Sequence, residues 1–111
     1  MIGTTVLYKL AAFDVALINA RRDDARAYAR KHRGTSAPEI EPGDPGRTGH
    51  VEHVGNHVNE GDVFPAFVVA DFSHGDPSGS KNLHVLLDGN DTYWATSRVE
   101  GTEPSQWTRL P

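Results

Sequence analysis

Asn82-Leu-His-Val-Leu-Leu-Asp-Gly-Asn-Asp-Thr-Tyr-Trp-Ala-Thr96 is the stretch that decides the fold. Runs of β-branched, aromatic and aliphatic residues flank Asp88-Gly-Asn-Asp91, whose residue types suit the positive φ of a tight turn, so the segment reads as a β-hairpin over 83–87 and 92–96. Upstream, Asn59-Glu-Gly-Asp62 turns into a strand over 63–72 that is apolar on both faces: Phe64, Ala66, Val68, Ala70 and Phe72 on one, Val63, Phe67 and Val69 on the other. A strand apolar on both sides is expected between an interior and a covering element. Downstream, Glu103-Pro-Ser-Gln-Trp107 closes the set. The reading is a small barrel over 50–111.

Working outward, Thr4-Thr-Val-Leu-Tyr-Lys-Leu10 reads as a first strand. Asp14 then suits an N-cap, with Phe13 and Ile18 placed as a hydrophobic staple, so a helix is expected over 15–33. Its early turns offer Val15, Leu17 and Ile18 for packing, against the barrel exterior. Its later turns carry Arg21, Arg22, Arg26 and Arg30 and are expected to project; Arg30-Lys-His-Arg33 and Gly34 form the stop. Positions 34–49 are dense in Pro and Gly and read as an extended connector.

Composition bounds the rest. A chain of 111 residues with 37% apolar and 8% aromatic residues is expected to form one small domain. Without cysteine, it has neither disulfides nor thiolate metal sites. The start lacks the apolar run of a signal peptide, and no segment has membrane-spanning length, so a soluble protein without membrane partners is expected. The net charge of −4 is uneven: residues 14–33 carry six basic and three acidic side chains, residues 50–111 three basic and nine acidic. An acidic barrel argues against nucleic acid, whose affinity rests on cation–phosphate contacts.

The chemistry-bearing motifs are few. His50, His53 and His57 form the one metal-like spacing, and a zinc-dependent enzyme built on them is the least favoured reading, because Gly49 and Gly55 oppose the helix that would align them. Asp88, Asn90 and Thr92 have the alternation of a calcium loop, but Tyr93 stands where glycine is needed. Ser73-His74 lies in no nucleophile elbow, so no enzyme activity and no cofactor are expected. The aromatic residues Tyr93, Trp94 and Trp107 remain. Neighbours on a strand face opposite ways; Trp94 is assigned to the core, and Tyr93 and Trp107 to a groove for a protein partner, with Arg22, Arg26, Arg30 and Arg33 as a basic docking face.

The hairpin sequence, the Gly-Asp turn before the strand over 63–72, Val6-Leu-Tyr8, Asp14-Val-Ala-Leu-Ile-Asn-Ala-Arg-Arg22 and His53-Val-Gly-Asn56 together resemble small uncharacterised proteins of tailed bacteriophages infecting actinobacteria. The likeness covers most of the chain, least so over 35–48. Related sequences end in Pro-Gly-Thr-Trp followed by His and a second Trp, whereas this chain ends Pro104-Ser-Gln-Trp107-Thr-Arg-Leu-Pro111. The resemblance implies an SH3-like β-barrel with a helix and connector inserted after strand one; the residues alone leave an OB-like barrel open. It further implies a non-enzymatic phage module made in the host cytoplasm. A virion-associated accessory protein, such as a capsid decoration or minor structural subunit, is favoured over a modulator of a host protein, with homo-oligomerisation a further expectation.

Overall fold

The computed structural model describes residues 1–33, 54–76 and 78–111, without the side chains at 29 and 31–33. In chain order the elements are β1 (Thr5–Lys9), α1 (Ala12–Arg33), β2 (Val63–Asp71), β3 (Lys81–Leu86), β4 (Thr92–Arg98) and β5 (Trp107–Arg109). The fold is mainly β: one antiparallel sheet in the order β4-β3-β2-β1-β5, with a single helix among the described residues. The hairpin forms as expected, Leu86 facing Thr92 across its turn. The connector over 34–49 lies outside the described residues.

The sheet curls. Trp107 in β5, at one end of the strand order, donates its N–H to Val99 O at 3.2 Å and accepts from Gly101 N at 2.9 Å, just beyond β4 at the other end. Two bulges help: β2 shifts register between Val68 and Ala70, and β4 between Ala95 and Arg98, where Ser97 takes φ 56° and donates its N–H to Asn82 Oδ1. An extra residue in one strand sharpens local twist and bends the sheet.

Period-two alternation sorts the side chains. Val6 and Tyr8, Ala66 and Val68, Leu83 and Val85, Tyr93 and Ala95, and Trp107 all point inward and are buried, joined by Leu10, Ile18, Val58 and Leu87. This inner set is the core, and at roughly 25 cal/mol per Å² its burial dominates the stability of the fold.

The helix differs from expectation at its start. It begins at Ala12, one turn early, because Asp14 sits at N3: its Oδ2 accepts the Ala11 N–H at 2.9 Å, and Val15 N–H bonds to Ala11 O. That is the back-reaching half of a capping box. Phe13 and Leu17 are exposed, so the Phe13–Ile18 staple does not form; Leu10 and Val15 take its positions, N′ and N4, Leu10 in the core and Val15 partly buried against it. The helix also covers the inner side of the sheet and not β2's exterior, for its buried stripe Asp14, Ile18 and Arg22 recurs every four residues beside Tyr8 and Tyr93. Val63, Phe67 and Val69, on the other side of β2, are left exposed.

Candidate functional site

Where the chain could act is set by which side chains the inner packing consumes. Asp14 is fully buried and accepts hydrogen bonds from Tyr8 Oη and Tyr93 Oη, each at 2.6 Å, with an Arg98 amine 3.5 Å away. Burial, then the hydrogen bond to Asp14 and its negative charge, push the Tyr93 hydroxyl up to about 12 and raise Tyr8 as well. Arg98 in turn lies over the exposed Phe13 ring, 4.7 Å from its centroid. Asp14 and the two tyrosine hydroxyls are committed to one another, as in a structural joint, while Arg98 Nε is buried without a hydrogen-bond partner.

Arg22 is consumed likewise. Expected on a projecting basic face, it is 1% exposed, because its guanidinium reaches past the helix to Asn56 O, Asp88 O and Asp91 Oδ1. Arg21 donates to Thr92 O and Arg26 to Gly55 O, so the helix arginines clamp the 54–58 segment and the hairpin turn to α1. Gly55 is required there: a Cβ on it would collide with Asp88 O and the Arg22 guanidinium. Asn19 completes the clamp, its amide pairing both ways with the backbone of Val58 at 2.9 and 3.1 Å. Arg30 is exposed, while the side chain of Arg33 lies outside the described residues.

The aromatic assignments are reversed. Trp107 is fully buried between Lys81 Nζ and the Arg109 guanidinium, 5.6 and 5.9 Å from its ring, and its Nε1 donates to Arg98 O. Tyr93 is buried against Asp14, while Trp94 is 60% exposed. The signal was in the sequence parity: Trp94 shares its face with Thr92, Thr96 and, across the hairpin, His84, whereas Tyr93 shares its face with Ala95, Leu83 and Val85.

Trp94 therefore belongs to the outer sheet face. The register sets Thr5 opposite Phe67, Phe67 opposite His84, and His84 opposite Trp94, a row running across four strands. Val63, Val69 and Leu86 flank it, all at least 36% exposed. Among the strand residues of this face the only charged side chain is Lys9, whose ammonium is held by Thr102 O at 2.7 Å. At the β1–β5 margin Leu7, Val63 and Thr108, with the 101–106 turn, line a groove of about 200 Å³. A charge-depleted, aromatic-bearing face of this kind is what distinguishes the centre of a protein interface.

Of the histidine spacing, His50 and His53 lie outside the described residues, and His57 faces Asp23 at 2.6 Å on the surface. Among the described residues no three His, Cys, Asp or Glu side chains converge as a metal site, and no helix is long and apolar enough to cross a membrane. Comparison of the chain with protein-family models, with curated proteins and with solved structures found no match in any of the three.

Proposed function

We propose that this chain is a non-enzymatic binding or structural module, a small SH3-like β-barrel with a helix and connector inserted after strand one, that acts through protein contact on its outer sheet face. The observation that carries the reading is Trp94, 60% exposed at the end of the row it shares with His84 and Phe67 on a face nearly without charge. Large aromatics anchor protein interfaces because they bury much apolar area at little cost in side-chain freedom. The strand order and the meeting of β5 with residues 99–101 support the barrel. The Asp14 carboxylate and the Arg22 terminal amines are committed to holding the fold, which supports a module without catalysis.

The resemblance to actinobacteriophage proteins supports a virion-associated accessory subunit as the setting. Quantitative mass spectrometry of purified particles, for wild type and for Trp94→Ser, tests it. Copy number in proportion to the major capsid protein, lost in the variant, is the expected result. Absence of the wild-type chain from particles overturns the virion setting and directs the same variant pair to host-protein pull-downs.

A further inference from the structure

We propose that the outer sheet face is occupied by a second copy of this chain, two sheets packing face to face; this rests on the reading of that face as the interaction surface. Three observations favour a second copy over an unrelated partner. The first is charge. The chain is 23% charged, yet among the described strand residues of this face the only charged side chain is Lys9, already bonded at its margin, so the face offers no pattern to steer a partner of opposite sign and is complementary to itself.

The second is the symmetry of the central row. The register sets His84 between Phe67 and Trp94, one strand away on either side. A two-fold axis lying between the sheets, along the strand direction over His84, lays Trp94 of each copy on Phe67 of the other. Each contact is then made twice, as an isologous interface requires. Offset or edge-to-face aromatic pairs of this kind contribute beyond their buried area.

The third is area. Val63, Phe67, Val69, Leu86 and Trp94 are 49, 40, 42, 36 and 60% exposed. Together they present on the order of 400 Å² of surface, and the intervening Thr, Pro, Asn and His residues extend the face to roughly 600–800 Å² per copy. Two copies would bury roughly 1,200–1,600 Å² in total, within the range of specific stable interfaces. Aligned sheets pack about 10 Å apart, near enough for these side chains to interdigitate.

The test is sedimentation equilibrium of the full chain, with wild type, Trp94→Ser and His84→Cys. Wild type is expected to be dimeric at about 100 μM, and Trp94→Ser to raise the dissociation constant at least about tenfold while its far-UV circular dichroism is unchanged. Because the chain has no cysteine, His84→Cys carries a single thiol, and a short bis-maleimide is expected to join two copies through it, since the axis passes over that position. Monomeric wild type at this concentration overturns the inference. So does a dimer that Trp94→Ser does not weaken, or one whose His84→Cys thiols do not cross-link. If the wild type is monomeric yet Trp94→Ser still abolishes particle incorporation, the second copy is wrong and the interaction face stands; if Trp94→Ser alters neither, both fall.

Discussion

Tyr8 and Tyr93 stand on β1 and β4, with two strands between them in the sheet, yet their hydroxyls meet at one carboxylate, each 2.6 Å from Asp14. The same carboxylate back-caps α1 through Ala11 N–H. One side chain thus fixes the curl of the sheet and the angle at which the helix leaves β1.

Removing that carboxylate should undo both. Asp14→Ala leaves two buried hydroxyls and the Arg98 guanidinium without their acceptor, and is expected to cost about 3–5 kcal/mol. Urea unfolding reads this as a lower midpoint; Asp14→Asn, which keeps an acceptor oxygen, should lose less. A loss below about 1 kcal/mol for Asp14→Ala would show that the joint is incidental.

The pH dependence follows from the same contacts. Tyr93 is held at about 12 against an ordinary 10.0, mainly by burial. An acid whose folded value is raised favours the folded state while protonated, so this stability is complete below the unfolded value near pH 10 and is lost as pH rises towards the folded one. Urea midpoints should fall across that window, and less steeply in Tyr8→Phe/Tyr93→Phe. At the other end, hydrogen bonds from Ser73, then Lys81, hold Asp71 below the usual carboxylate range. Its contribution is present above the unfolded value of 3.8 and is lost as pH falls below it, so Asp71→Asn should flatten the acid limb of the same curve.

The two tryptophans should behave oppositely. Trp107→Ala empties a fully buried site and is expected to cost about 3–5 kcal/mol, whereas Trp94→Ala should change monomer stability by less than about 1 kcal/mol. Iodide quenching of single-tryptophan variants offers an independent check. In the monomer Trp94 should be quenched and Trp107 protected.

Glycines at similar-looking turns should differ in cost. A Cβ at Gly55 meets the Asp88 carbonyl and the Arg22 guanidinium, so Gly55→Ala must displace backbone and should cost about 2–3 kcal/mol. Gly75 has φ 89° but open space around it, and Gly75→Ala should cost only the left-handed strain, about 1–2 kcal/mol. Hydrogen exchange should show residues 54–58 and 88–91 loosening together in the first variant, because Arg22 holds both.

Much of the fold was legible in the residues. The Asp88–Asp91 turn and its flanking runs specify a hairpin, and the β-branched and aromatic residues of β1 and the short apolar run of β2 specify strands, because turn chemistry and residue propensity are local properties. The choice of face was legible too: Thr92 and Thr96 share the parity of Trp94, and weighing the face as a whole, above the size of one ring, gives its exposure. For Asp14 the local pattern allows an N-cap or an N3 position, and the helix start depends on which backbone N–H it accepts.

The sequence by itself determined one small cysteine-free chain, mainly β with a single helix, a basic helix joined to acidic strands, and one histidine spacing at His50, His53 and His57. The tertiary structure alone decided that Arg22 is a buried clamp and that Asp14 joins α1 to both β1 and β4. The physical reason is range: propensity, turn chemistry and period act over a few neighbours, whereas these contacts join residues up to 84 positions apart, whose meeting depends on the path of the whole chain.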